Sequence, residues 1–211
     1  RNLLREHKLE TLMFISTDKA CKPVNVYGMC KAISERLYID YAQQQESIKV
    51  CLVRYGNVLE STGSVIPLFK DMIERGAEHL SITDERMTRF LLSLEQASDL
   101  IDWAYYHPSS HGKIAVPKIK SMKVTDIARC LIDSCGRTNS IKLKMIGIRP
   151  GEKIDEELIS ADEWARTETS LENYLIGNTK INNERKSYNS KDSLMDESEI
   201  FSFLKESGII R

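Results

Sequence analysis

Strand-length apolar runs alternate with longer amphipathic segments along most of this sequence, and this pattern limits the possible folds more than any other feature. The strand-length runs lie at 11–16, 49–53, 114–116 and 141–148. Apolar spacing of three and four residues predicts helices at 26–45, 65–75, 93–104, 122–134 and 197–206, and residues 2–8 resemble the end of another. Alternating strands and helices are typical of a parallel sheet covered by helices, so the sequence predicts an α/β fold.

Composition excludes several classes of protein. The 211 residues are 41% hydrophobic with a net charge of -1, which is typical of an ordinary globular protein without a nucleic-acid or anionic-membrane partner. No apolar run reaches the ~18 residues that a membrane-spanning helix needs. The five cysteines are odd in number and irregularly spaced, which indicates reduced thiols in a cytoplasmic protein and neither a disulfide framework nor a metal site.

Chemically active side chains are concentrated just after the first strand. Asp18 and Lys19 are adjacent there, and Tyr27 and Lys31 follow with a spacing of four. On a helix that spacing puts the ammonium group one turn from the phenol, where it favours the phenolate. Such a tyrosine can exchange a proton with a substrate hydroxyl during hydride transfer to a nicotinamide ring. The spacing also fits an aromatic residue on a core stripe beside a solvated lysine, so it does not decide between the two.

The residues around Tyr27 and Lys31 favour the interpretation as a redox tyrosine and its lysine. From Ser16 and Thr17 at the strand end to Tyr27 and Lys31, the spacing resembles the extended short-chain dehydrogenase/reductase superfamily. Asp18-Lys19 narrows the resemblance to nucleotide-sugar 4,6-dehydratases of the polysaccharide-biosynthesis type, above all the inverting UDP-N-acetylglucosamine 4,6-dehydratases. Further motifs match in order at 53–58, 63–69, 82–90, 116–118, 121–123 and 146–153.

The resemblance implies a fold and a division of the chain. The fold would be the C-terminal part of a Rossmann-like doubly wound parallel sheet with a smaller α/β substrate-binding portion. Residues 1–65 would be the C-terminal half of an NAD(P)-binding domain with the catalytic residues, and 66–177 the nucleotide-sugar-binding portion. Residues 178–198 are polar and nearly free of core residues, so we expect 178–211 to be a flexible segment followed by a final helix.

The resemblance also implies roles for individual residues. Tyr27, supported by Lys31, would remove the proton of the sugar 4-hydroxyl, while Lys19 would take the C5 proton and Asp18 would protonate the departing 6-hydroxyl. Thr17 would complete the catalytic set. The cofactor would be NADP, with NAD possible, and it would contact Ser16, Tyr27, Lys31 and Val58. UDP-N-acetylglucosamine or a related UDP-sugar would contact Asn57, Thr83, Arg89, Arg149 and Glu152. The neighbouring Arg54 and Arg86 could simply be structural, and we leave them out of the predicted site.

Three departures from the family pattern are visible. Glu60 and Thr62 occupy positions where the family has a glycine and an arginine close to the substrate, so affinity or substrate choice could differ. Nothing resembles the glycine-rich turn that binds a cofactor pyrophosphate. The sequence begins with Arg1, and we expect that this half of the family's chain, made alone, binds NADP poorly and turns over little substrate.

Two alternatives stay open from the sequence. A nucleotide-sugar 4-epimerase or reductase of the same superfamily would use the same tyrosine and lysine, although it needs no acid and base for an elimination. A truncated remnant that at most binds UDP-sugars would explain the missing cofactor motif. The resemblance also implies a possible homo-oligomer.

Overall fold

The computed structural model describes residues 9–137, 140–177, 184 and 186–210. The helix end predicted at 2–8 lies outside these residues, as does part of the polar segment at 178–198. Strands in the described part are β1 Thr11–Thr17, β2 Lys49–Tyr55, β3 Asn57–Val58, β4 His79–Ile82, β5 Thr88–Leu92, β6 Ile114–Pro117, β7 Ser121–Lys123, β8 Lys142–Met145, β9 Glu157–Ile159, β10 Thr167–Thr169, β11 Asn173–Ile176 and β12 Tyr188–Asn189.

Helices follow the predicted order. The α-helices are α1 Val26–Gln44, α2 Val65–Glu74, α3 Leu94–Tyr106, α4 Val124–Ser134, α5 Ala161–Trp164 and α6 Glu197–Glu206, and short 3-10 helices cover Asp18–Ala20 and Ser190–Asp192. Within the described ranges, none of these helices combines the length and the apolar character that a membrane crossing requires.

The chain divides into two compact units. Unit 1 combines the described parts of 1–55, 95–118 and 157–188, and unit 2 combines 56–94, 119–156 and the described part of 189–211. Each unit therefore joins three separate stretches, whereas the ranges expected from the sequence are consecutive. The reason is that strands far apart in sequence, such as β2 and β6, pair in one sheet.

Unit 1 contains a mixed sheet. Its strands run in the order β1-β2-β6-β11-β10. β1 pairs with β2 in parallel from Thr11↔Lys49 to Thr17↔Tyr55, and β2 also pairs in parallel with β6. β11 and β10 extend the sheet in antiparallel pairing. A buried cluster that includes Val53, Leu100, Ala104, Ala115 and Leu175 packs α3 onto one face of this sheet.

Unit 2 has its own core and smaller sheets. β3, β5 and β7 form one sheet, and β4 pairs with β8 in a second. The core joins apolar residues of α2, α4 and α6 with those of β4, and among its fully buried members are Ile66, Phe69, Leu80, Ile127 and Leu204. The observed elements confirm the predicted α/β fold with parallel strands.

The structure corrects several predicted boundaries. Residues 122 and 123, predicted to begin a helix, belong to β7 because that strand pairs with β5, and α4 begins at Val124. The strand predicted at 141–148 is limited to β8, where it pairs with β4. Sequence periodicity missed several elements of two to five residues, which are too short to show a clear pattern; they are β3, β4, β5, β9, α5, β10, β11 and β12. Asn189 and Ser190 are buried, so the segment predicted to be nearly core-free does contribute to a core there.

Candidate active site

The end of β1 places an acid and an amine in direct contact. Asp18 is fully buried, and its Oδ1 accepts hydrogen bonds from Lys19 Nζ at 2.9 Å and from Thr17 Oγ1 at 2.9 Å. The Asp18 Oδ2 atom is buried and has no hydrogen-bond partner among the described residues. A buried carboxylate oxygen without a partner is costly, and such atoms in native sites call for an explanation. The three predicted catalytic residues 17–19 therefore form one connected group with an open acceptor.

The first turn of α1 packs against this group. Asn25 caps the helix, with its side chain accepting from the Gly28 backbone N–H at 2.9 Å. A Cβ atom added at Gly28 would lie 2.2 Å from the Lys19 carbonyl oxygen. Glycine at this position is what allows the helix backbone to approach the Asp18–Ala20 turn closely, which brings Tyr27 to the same end of the sheet as Asp18 and Lys19.

Tyr27 and Lys31 lie on the same side of α1, as their spacing predicts. Lys31 Nζ lies 6.0 Å from the centre of the Tyr27 ring and donates to the Ile15 carbonyl at 2.8 Å. Tyr27 is 55% exposed, so its hydroxyl is accessible to a ligand. Burial, with a smaller contribution from the nearby Tyr27, raises the pKa of Tyr55, which the sequence analysis did not single out.

Ser16 belongs to a buried ionic network that the sequence analysis missed. Its hydroxyl donates to Glu35 Oε1 at 2.6 Å. Arg54 binds Glu35 with two hydrogen bonds, from Nε at 2.9 Å and from Nη2 at 2.6 Å. Glu163 accepts from the same guanidinium at 2.8 and 3.0 Å. The sequence feature that could have indicated this network is Glu35, an acid four residues after Lys31 on the same helix face. By itself, that position is equally typical of a solvated helix residue.

Opposing effects determine the protonation of Glu163. Burial by itself would raise the pKa of this carboxyl group, but the charge of Arg54 and hydrogen bonds from Arg54 and Ser160 lower the pKa to about 2. Burial would likewise lower the pKa of Arg54, and the two carboxylates outweigh it and raise that pKa well above its usual value. Glu163 and Arg54 are therefore both charged across the physiological range.

Unit 2 brings the predicted substrate-binding residues together. A pocket of about 260 Å³ is lined by all five of them, namely Asn57, Thr83, Arg89, Arg149 and Glu152, together with Val58, which was predicted to contact the cofactor. Ser64, at the start of α2, also lines this pocket. Asn57 Oδ1 and Ser64 Oγ are buried and have no hydrogen-bond partner among the described residues. These unsatisfied groups are the pocket's most direct indication of a polar ligand.

The charged residues of this pocket differ in how they are held. Arg89 donates to three backbone carbonyls, of Thr88 at 2.6 Å and of Lys153 and Ile154 at 3.0 Å each, which fixes the guanidinium in place. Glu152 closes the turn before it by accepting from the Arg149 backbone N–H at 3.2 Å. The Arg149 side chain lies on the exposed surface of the unit. Arg89 is therefore prepositioned, whereas Arg149 can adjust to a ligand.

The departure at residues 60–62 has a structural explanation. Glu60 has a φ of 56°, in the left-handed region that favours glycine, which is the residue the family has there. Its carboxylate forms an ion pair with Lys70 at 2.6 Å. Neither Glu60 nor Thr62 is among the residues that line the pocket. The carboxylate is thus neutralised by a lysine of α2, and the expected effect on affinity stays a prediction.

Comparison with known proteins finds a matching family and similar curated proteins. The model of a family described as "Polysaccharide biosynthesis protein" matches residues 2–179. An inverting UDP-N-acetylglucosamine 4,6-dehydratase of Campylobacter jejuni is 41% identical over 171 residues, which are 80% of this chain and 49% of the relative. A UDP-glucose 4-epimerase of Rickettsia canadensis is 40% identical over 173 residues, 81% of this chain and 50% of the relative.

A solved structure extends the likeness to the fold. The X-ray structure of Pen from Bacillus thuringiensis superposes with a TM-score of 0.85 at 27% identity, covering 96% of this chain and 64% of that one. This chain spans about half the length of the two curated relatives that it matches. The activity of the whole protein is therefore a matter for proposal.

Proposed function

This chain belongs to the polysaccharide biosynthesis protein family, and from that premise we propose that it carries the catalytic and sugar-nucleotide-binding residues of a UDP-N-acetylglucosamine 4,6-dehydratase that inverts C5. The observation that carries the proposal is the contact between Asp18 and Lys19 at the end of β1, beside Tyr27 and Lys31. An epimerase needs a tyrosine and a lysine to oxidise C4, but an elimination also needs a base at C5 and an acid at O6.

Tyr27 and Lys31 suit the oxidation at C4. The exposed Tyr27 hydroxyl can take the proton of the sugar 4-hydroxyl, and the positive charge of Lys31 stabilises the phenolate on which this step depends. Lys31 has three N–H donors, of which one binds the Ile15 carbonyl, so it also has donors for a cofactor ribose. A bound nicotinamide cofactor, NADP or NAD, would accept hydrogen from C4 as hydride and return it to C6.

The Asp18–Lys19 pair suits the elimination. The ionic pair and the neutral pair, carboxylic acid with amine, differ only by a proton moved along one 2.9 Å hydrogen bond. In the neutral form Lys19 takes the C5 proton, and Asp18 gives its proton to the 6-hydroxyl as the C6–O bond breaks. The products are a carboxylate and an ammonium, and proton transfer between them restores the neutral pair. The proton released at C5 therefore replaces the one that leaves with water.

The proton count balances over the reaction. Protons leave the sugar from O4 and from C5, one proton leaves with the 6-hydroxyl as water, and one returns to C5. Arg89 and Arg149 would bind the diphosphate, with Asn57, Thr83 and Glu152 contacting the sugar or ribose.

The test uses the protein in its natural full length with UDP-N-acetylglucosamine and NADP or NAD in D₂O. We expect loss of one water in the mass spectrum, with a C4 ketone and deuterium at C5 by NMR. Asp18→Asn and Lys19→Gln, which keep size but not acid–base function, should abolish water loss. An unchanged mass with an inverted C4 would make the protein an epimerase, and no product with either cofactor would favour a remnant that binds UDP-sugars.

A further inference from the structure

The guanidinium of the buried Arg54 in unit 1 is fully hydrogen-bonded, which is more than its contribution to protein stability explains. All five N–H donors of Arg54 are used: one on each of the four carboxylate oxygens of Glu35 and Glu163, and one on the Leu158 carbonyl at 2.9 Å. Arg54 and Glu35 are 1% and 3% exposed. A buried ionic cluster typically contributes little more stability than well-packed apolar residues would, so its presence here points to a geometric role.

The geometry connects the network to the candidate catalytic residues. Tyr27, Lys31 and Glu35 follow one another at intervals of four along α1 and lie on one side of the helix. Lys31 binds the carbonyl of Ile15, and Glu35 binds the hydroxyl of Ser16. Two successive residues of β1 are therefore fastened to two successive turns of the helix, directly before Thr17, Asp18 and Lys19.

Arg54 supports only one of these two links, the Ser16–Glu35 hydrogen bond, and this link takes no part in the proposed chemistry. Lys31 has to assist Tyr27, so its bond to Ile15 cannot be the sole restraint on the distance between helix and strand. Glu35 has no such second task, and Arg54 fixes both of its oxygens by a planar two-bond contact. The Ser16–Glu35 bond is therefore a rigidly held link between α1 and the end of β1.

We propose that Ser16, Glu35 and Arg54 are positioning residues that fix the distance between Tyr27 and the Asp18–Lys19 pair. The proposal rests on the proposed function for the identity of the reaction, and it adds a positioning role for the Ser16 hydroxyl to the predicted cofactor contact of that residue. The predicted sugar-nucleotide residues lie in unit 2 and take no part in the network. Loss of the Ser16–Glu35 bond is therefore expected to reduce kcat and to leave KM for the UDP-sugar nearly unchanged.

The test replaces Ser16 by alanine in the full-length protein, which removes one hydroxyl and no buried charge. Ser110→Ala is the matched control, because Ser110, like Ser16, is a buried serine of unit 1 whose hydroxyl donates a hydrogen bond. The acceptor of the Ser110 hydroxyl is the backbone carbonyl of Ala104, at 2.6 Å. We expect kcat of Ser16→Ala to fall about tenfold with KM within about twofold of the wild type, and kcat of Ser110→Ala to stay at the wild-type value. Both variants should lose similar thermal stability.

A second readout does not depend on the reaction. In Ser16→Ala, amide hydrogen exchange should become faster at residues 15–20 and in the first turn of α1, whereas exchange in α2 should match the wild type. In Ser110→Ala, exchange at residues 15–20 and in the first turn of α1 should match the wild type. Unchanged exchange at 15–20, or equal kcat in the two serine variants, would overturn the proposal. If the wild type releases no water from UDP-N-acetylglucosamine, the proposed function fails, and the exchange difference still decides the positioning role.

Discussion

Removal of one carboxylate from the buried arginine tests the energetics of the site. In the wild type, burial opposes the charge of Glu163, but Arg54 and Ser160 outweigh it and hold the pKa at about 2, against an ordinary value of 4.5. One pKa unit corresponds to about 1.4 kcal/mol, so the ionised Glu163 contributes on the order of 3 kcal/mol to the free energy of unfolding. We expect Glu163→Gln to lower this free energy by about that amount at pH 7.

The pH dependence gives the sign of the effect. Because the pKa of Glu163 is lower in the folded state, its contribution is fully present above pH 4.5 and is lost as the pH falls from 4.5 towards 2. Glutamine has no such titration. The difference in unfolding free energy between wild type and Glu163→Gln should therefore narrow steadily over that interval. Carboxyl groups that have no contact with Arg54 contribute equally in both proteins and cancel in the difference.

The assay is urea unfolding of both full-length proteins at pH 7, 4.5 and 3. Glu157→Gln serves as the control, since Glu157 pairs with Lys22, whose side chain is 55% exposed, and such a pair contributes about 1 kcal/mol or less. Two results would refute this interpretation of the network. One is a loss of unfolding free energy in Glu163→Gln as small as the loss in Glu157→Gln, and the other is a loss that stays constant from pH 7 to pH 3.

Three further predictions address the turn, the pocket and the departure from the family. Gly28→Ala should reduce kcat at least about 100-fold, because its Cβ would lie 2.2 Å from the Lys19 carbonyl oxygen; steady-state kinetics with a circular dichroism check of folding tests it. Asn57→Ala should leave the melting temperature nearly unchanged, since the buried Oδ1 has no partner to lose, but raise KM for the UDP-sugar about tenfold. Glu60→Gly should stabilise the protein by up to about 1 kcal/mol in urea unfolding by relieving the positive φ, whereas Lys70→Gln, which breaks the same exposed ion pair and keeps the strain, should not.

Periodicity and motif order predicted the parts of the site that follow from local sequence. The alternation of apolar runs located β1, α1, β2 and the helices of unit 2, and the spacing of Tyr27 and Lys31 predicted their shared helix side. The family motifs named the five residues that share one pocket. The first two of these predictions depend on patterns within single elements, whereas the pocket residues were named from the resemblance to the family.

What the sequence could not predict depends on pairing between distant segments. β10 and β11 extend the sheet of unit 1 in antiparallel pairing, and their three or four residues carry no clear period. Arg54 and Glu163 are 109 residues apart, so their contact follows from the fold and from no local spacing. For the same reason no local pattern indicated that the Ser16 hydroxyl donates to Glu35. The predicted contact of Ser16 with a cofactor stays a prediction.

A single-turnover experiment with Lys19→Gln tests the central claim most directly. The full-length variant, mixed with cofactor and UDP-N-acetylglucosamine, should still show the absorbance of reduced nicotinamide at a rate close to that of the wild type, since Tyr27 and Lys31 are intact. Water loss and deuterium uptake at C5 should fall about 100-fold or more, the range expected when a general base is removed. Water loss at the wild-type rate in Lys19→Gln would contradict the assignment of the Asp18–Lys19 pair to the elimination.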